Sequence, residues 1–154
     1  MFGALRPAIA ASSAESFRVL HFSIQHDHVH LLVEADAPAA LSRGIQGLAI
    51  RAARAINRLL GRRGRVWADR FHARDLPTPR EVRNALVYVL NNVKKHLRGA
   101  EGLDPRSSAA WFSGWKLPAK QPPGAPPVAR ARTWLARVGW QRHGRIDVEE
   151  RPRR

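Results

Sequence analysis

Two imidazoles two residues apart are the first groups in this chain whose spacing suggests chemistry: His28-Val29-His30, inside Gln25-His26-Asp27-His28-Val29-His30-Leu31-Leu32-Val33-Glu34. Side chains on a strand alternate between faces, so His28, His30, Leu32 and Glu34 share one side and Val29, Leu31 and Val33 the other. Both imidazoles then aim the same way while the residue between them is buried. Neutral imidazoles are good metal ligands, but two of them make only part of a site. A pair of surface histidines on a half-buried strand fits the tripeptide equally well. A third ligand and a nucleophile have to come from elsewhere.

They are offered by a helix. Thr78-Pro79-Arg80-Glu81 is a capping box with proline at the first helical position, and Val82, Ala85, Leu86, Val89, Val93 and Leu97 repeat at helical spacing to about Arg98, before Gly99. At about 100° per residue, Tyr88 falls roughly 140° from the middle of that stripe, beside Asn84 and Lys95. The single tyrosine of the chain is therefore not set as a core residue. Asn92 follows one turn on along the same side. If His28, His30 and the Asn92 oxygen share a cation, two nitrogens and a hard oxygen suit Mg2+ or Mn2+, with positions left for phosphate oxygens. Such an ion offsets charge building on a phosphodiester under in-line attack. Tyr88 would attack phosphorus, and the resulting phosphotyrosine keeps the energy of the cleaved linkage for rejoining. A free phenol has a pKa of about 10, so the metal or Lys95 must help it ionise; Lys95 as a ligand of backbone phosphate is the role favoured here. The site should bring His28, His30 and Asn92 within ligating reach, with Tyr88 opening onto an arginine-lined groove.

Charge names the class of partner. The 154 residues hold 27 Lys and Arg against 12 Asp and Glu, a formal net charge of +15. That balance favours a polyanion, nucleic acid first and anionic membrane second. With no cysteine, disulfides and thiolate metal sites are excluded. No apolar run approaches the roughly 20 residues of a membrane span. Met1 to Ala11 has no apolar region followed by a cleavage signal, which reads as a cytosolic protein, at the nucleoid when bound to DNA.

The remaining elements must position these groups. Residues 1–16 are weakly patterned: Phe2, Leu5, Ala8 and Ile9 could form a helical stripe, but Pro7 and Ala11-Ser12-Ser13-Ala14 interrupt it. Phe17 to Ile24 reads as a strand with Phe17, Val19 and His21 opposite Arg18, Leu20, Phe22 and Ile24, turning back through Gln25-His26-Asp27 into an antiparallel hairpin. His21 and His26 are incidental on this reading. A helix opens at Asp36 as N-cap with Pro38 in its first turn, and runs through Leu41, Ile45, Leu48, Ala52, Ile56 and Leu59 to Gly61 and Gly64. Between Asp36 and Asp69 there is no acidic residue, while Arg43, Arg51, Arg54, Arg58, Arg62, Arg63 and Arg65 occur. A one-signed face is costly unless an anion relieves it, and arginine is the better phosphate fork; a solvated face is the alternative. Residues 65–76 are expected to include another strand. There Trp67, Arg70, Phe71 and His72 mix aromatic and basic groups, as base stacking and phosphate contact require, or else contribute to the core. Residues 99–117 read as an aromatic loop, 118–129 as a proline-rich linker, and 130–154 as a short helix and a basic tail ending Arg151 to Arg154.

In this order the motifs resemble the HUH single-tyrosine transposases, in particular the REP-associated tyrosine transposases. The likeness runs from about Phe17 to Trp115. It rests on His28-Val29-His30-Leu31-Leu32, Leu41-Ser42-Arg43-Gly44, Val66-Trp67-Ala68-Asp69-Arg70-Phe71-His72 and Tyr88-Val89-Leu90-Asn91-Asn92. The resemblance implies an α/β fold, an α+β sandwich of the HUH-nuclease, ferredoxin-like type with a mainly antiparallel sheet and helices packed on it. It implies His28, His30 and Asn92 as ligands of a divalent metal (Mg2+ or Mn2+) and Tyr88 as nucleophile. Single-stranded DNA beside a hairpin is then the partner, and a 5′-phosphotyrosine with a free 3′-OH the outcome. A second copy of the chain is a further partner to expect, and a membrane is not. Relatives begin with a further strand and helix, so the 16 residues ahead of Phe17 predict that this first strand is absent and that backbone groups go unpaired unless another segment fills the gap. Asn91-Asn92-Val93 also stands where many relatives have Asn-Pro.

Three other readings compete. Histidine-triad hydrolases want an apolar residue where Asp27 stands, and a His-x-His-x-Asp metallo-hydrolase wants an aspartate where Leu32 stands. A decayed or domesticated relative that binds hairpin or single-stranded DNA without cutting it is the stronger rival.

Overall fold

The computed structural model describes residues 1–96 and 99–152. The protein is α+β, built around a hairpin of two antiparallel strands, β1 (Phe17–Ile24) and β2 (Val29–Ala35). Gln25 N–H closes the turn onto the His28 carbonyl at 2.8 Å. Along β2 the expected alternation holds: Val29, Leu31 and Val33 pack on one cluster and Leu32 joins another. Along β1 it does not. The register slips between Val19 and His21, a bulge that reverses the faces beyond it. Phe17, Val19, Phe22 and Ile24 therefore share one cluster, and His21 meets the Phe112 ring edge-on at 5.3 Å. In so apolar a strand an inserted residue leaves no trace in the hydrophobic spacing.

Two helices cover the first face, α1 (Phe2–Ala10) and α2 (Pro38–Leu59). The first forms in spite of Pro7. Leu5 and Ile9 are buried against Leu48, Ala52 and Ile56, and burying two such side chains contributes about 3–6 kcal/mol, at least the roughly 3 kcal/mol an internal proline costs. Asp36 does not cap α2. Ala37 holds that position without a side-chain bond, and Asp36 accepts from Arg18 Nη2 at 2.9 Å instead. Gly44 lets the two layers close, since a methyl group there would lie 2.1 Å from the Phe17 ring.

The second face carries α3 (Pro79–Leu90) and α4 (Val93–His96). Thr78 caps α3 as its sequence promises, accepting from Glu81 N–H at 3.3 Å. The continuous helix expected to reach about Arg98 is broken, because the chain turns at Asn91 and Asn92. Leu97 and Arg98 lie outside the described residues. Besides the expected stripe, α3 buries Val87 and Leu90, which meet Phe112, Trp115, Trp140 and Ile146 from the C-terminal third.

That third folds back on the hairpin. The second edge of β1 is bonded by residues far away in sequence. Ile24 N–H donates to Arg106 O (2.9 Å), Ser108 N–H to Phe22 O (2.9 Å) and Ala129 N–H to Val19 O (2.8 Å). Val19 N–H and Phe22 N–H each donate to a serine hydroxyl, of Ser13 and Ser108. These backbone groups of β1 are thus matched by segments other than a strand. The strand expected within 65–76 is not formed. Val66 and Trp67 seal the α2 cluster, Trp67 Nε1 donating to Ala49 O at 2.9 Å, while Phe71 stays 53% exposed. Trp67 is the core residue of that aromatic pair.

Residues 130–152 hold α5 (Trp134–Arg137) and anchor on a buried carboxylate. Glu34, on the same row of β2 as His30 and Leu32, accepts from Arg18 Nε (3.1 Å), Arg132 N–H (2.9 Å), Thr133 N–H (3.0 Å) and Thr133 Oγ1 (2.5 Å). Burial pushes this carboxyl up, but the donors from Thr133, Arg132 and Arg18 outweigh it and hold the group below its ordinary value of 4.5. A carboxyl depressed in the folded state stabilises above its unfolded pKa, and the contribution fades as pH falls through the folded value. Glu34→Gln is expected to cost about 2–3 kcal/mol at pH 7, less than a fully broken buried pair because Asp36 still faces Arg18. Urea midpoints of wild type and variant should draw together as the pH falls below 4.5, through the lowered folded-state value of Glu34.

Candidate active site

The strand expected from His28 starts one residue later, so His28 ends the turn and His30 is the second residue of β2; the two rings still lie side by side, with their Nε2 atoms 3.0 Å apart. Tyr88 comes to them from the other layer. Its ring meets that of His30 edge-on, with centroids 4.8 Å apart. The Lys95 ammonium donates to the phenol oxygen at 3.3 Å and lies 4.7 Å from the ring centre. So three of the expected side chains, and Lys95 with them, form one continuous group. Tyr88 is half-buried and Lys95 exposed, which leaves the phenol open to a ligand.

Asn92 behaves differently. Because the helix breaks at Asn91, Asn92 does not project from the same surface as Tyr88 but is 0% exposed. Its Oδ1 and Nδ2 have no hydrogen-bond partner among the described residues, so the amide is bonded to neither imidazole. Leaving both ends of a buried amide unmatched is costly.

A divalent ion fits these residues. The 3.0 Å between the two Nε2 atoms is a hydrogen bond between the rings, and both nitrogens are donors of the kind a first-row divalent ion would take. The unmatched oxygen of Asn92 is a hard donor of the kind such an ion takes.

The arginines form a separate feature. Arg43, Arg51, Arg54 and Arg58 are exposed on α2, and Arg62, Arg63 and Arg70 on the segment after it. None of these seven makes an ion pair among the described residues. Arg51, Arg54 and Arg58 line a groove of about 540 Å³ whose other wall is Ala4, Pro7 and Ala8 of α1. Tyr88 is not in the lining of this groove. Arg65 is otherwise engaged, its guanidinium donating to the carbonyls of Trp67 and Ala68.

Several supporting residues escaped the sequence reading. Asn91 Nδ2 donates to the Glu150 carbonyl (2.7 Å). Lys94, buried, pairs with Glu149 at 3.2 Å. Arg83 forks onto the Glu150 carboxylate at 2.7 and 2.8 Å. The acidic run Asp147-Val148-Glu149-Glu150 in a chain of charge +15 was the available signal: it supplies internal partners for the helix that carries Tyr88. His21, as expected, is no part of the group. It bonds Ser108 Oγ at 3.1 Å, and burial pushes its imidazole down to about 4.

The family model "Transposase IS200 like" matches residues 8–92, a span that holds the histidine pair, Tyr88 and Asn92. The chain belongs to this transposase family. DNA is accordingly its partner and transposition its class of activity. No curated protein and no solved structure matches the chain. No helix among the described residues is long and apolar enough to cross a membrane.

Proposed function

We propose that this transposase cuts and rejoins single-stranded DNA beside a hairpin, in the manner of REP-associated tyrosine transposases, with Tyr88 as nucleophile. His28, His30 and Asn92 would hold Mg2+ or Mn2+. When bound, the ion supplies positive charge against that building on the scissile phosphate. The Tyr88 oxygen, its proton lost to water, forms a bond to phosphorus as the bond to the 3′ oxygen breaks. The leaving oxygen takes a proton from water. The downstream strand then remains on the protein as a 5′-phosphotyrosine, and attack by a 3′-OH reverses the step. Lys95, bonded to the phenol oxygen, holds the ring in place and presents a charge to the incoming phosphodiester.

The observation that carries this reading is the 4.8 Å contact between the only tyrosine and one of two adjacent imidazoles. The test uses a pool of hairpin-bearing single strands with randomised flanks, incubated with protein and Mn2+. A label at the 3′ end should stay with the protein on a denaturing gel and a label at the 5′ end should not. Binding with no adduct at either label would leave the non-catalytic DNA binder.

The arginine groove belongs to this proposal as a phosphate track. Replacing Arg51, Arg54 and Arg58 with Gln should lower the slope of log K against log salt by about 2 on single strands. Affinity should fall evenly across sequences, with adduct yield per bound strand unchanged. Filter binding from low to high salt measures both slopes.

A further inference from the structure

The residue before the histidine pair has a task of its own. The Asp27 carboxylate lies 2.6 Å from His28 Nδ1, while His28 Nε2 lies on the opposite side of the ring, 3.0 Å from His30 Nε2. A carboxylate can only accept, so the hydrogen in the first contact belongs to His28 Nδ1. In a neutral ring the other nitrogen is then bare. We propose that Asp27 is a positioning residue that fixes His28 as the Nδ1–H tautomer and so keeps its Nε2 lone pair turned toward the metal. The proposal rests on His28 being a ligand. With His28 Nε2 as acceptor, the hydrogen between the two imidazoles is that of His30, which His30 Nε2 must give up before it can itself ligate. Carboxylates that hold the far nitrogen of a ligating histidine set its rotation and raise its basicity, and their loss typically weakens metal binding about 10–100-fold.

The turn makes this arrangement available. Gln25 N–H on the His28 carbonyl closes the loop, leaving Asp27 as its exposed corner, its side chain 79% accessible. Asp27 has no packing role there. A substitution at Asp27 therefore removes the contact without opening the core.

The experiment compares wild type, Asp27→Asn and Asp27→Ala, first metal-free. Two-bond nitrogen–proton spectra of the histidine rings should show His28 protonated at Nδ1 and bare at Nε2 in the wild type. That pattern should be lost in Asp27→Ala and weakened in Asp27→Asn, where an amide oxygen still accepts. Calorimetry with Mn2+ alone should then give 10–100-fold weaker binding to Asp27→Ala, with Asp27→Asn between. Unchanged His28 signals and unchanged Mn2+ affinity in Asp27→Ala would overturn the proposal. His28→Ala separates it from the reading beneath. If that variant binds Mn2+ like the wild type, the histidine is no ligand and the role given to Asp27 falls with it, whatever the ring spectra show. If His28→Ala abolishes binding while Asp27→Ala leaves it intact, the metal site stands and only the aspartate's role is lost.

Discussion

Tyr88→Phe abolishes covalent capture of DNA, by at least about a thousandfold, and leaves DNA binding within about twofold; this is the largest single effect expected of any substitution in the chain. Phenylalanine preserves the ring that lies 4.8 Å from His30 and removes only the oxygen that would bond to phosphorus. Because Tyr88 is half-buried and its hydroxyl accepts from exposed Lys95, little stability should be lost, and a urea midpoint close to wild type checks that. The readout is the slow-migrating band from a 3′-labelled strand on a denaturing gel. An undiminished band in Tyr88→Phe would mean that another group attacks, and the tyrosine reading would be abandoned.

What could be read from residues alone tracks the range of the interaction responsible. The hairpin, both long helices and the Thr78 cap are local, governed by alternation, helical spacing and a box of four residues, and they were legible. So was the pairing of Tyr88 with the histidines, because the helix phase excluded the tyrosine from the apolar stripe. Features decided by distant segments were not. The Val19–His21 bulge depends on how β1 meets β2 and on what bonds its other edge. Helix α1 survives Pro7 only because Leu5 and Ile9 find α2. Residues 106–108 and 129 bond β1 across about a hundred positions of sequence, which no periodicity reveals. The break after Leu90 belongs with these. Asn91 turns toward carbonyls of Asp147 and Glu150, and that contact carries Asn92 inward, away from the surface that an unbroken helix would have given it.

Asn92 is where the two kinds of information collide, and Asn92→Leu exposes the conflict. As a structural residue the asparagine is poor: fully buried, with both amide atoms unmatched among the described residues. Leucine is of similar volume and has nothing to desolvate, so the variant should be more stable than the wild type by about 1–2 kcal/mol, seen as a higher urea midpoint. If the amide oxygen is a metal ligand, the same change should weaken Mn2+ binding by at least about tenfold and slow adduct formation about a hundredfold. A variant that is less stable and still captures DNA would make Asn92 a packing residue and leave the cation with the two histidines alone. Stability gained with activity lost has one reading. A chain keeps an unmatched buried amide only where something that binds later will match it, and functional sites are where local rules of folding are broken to that end.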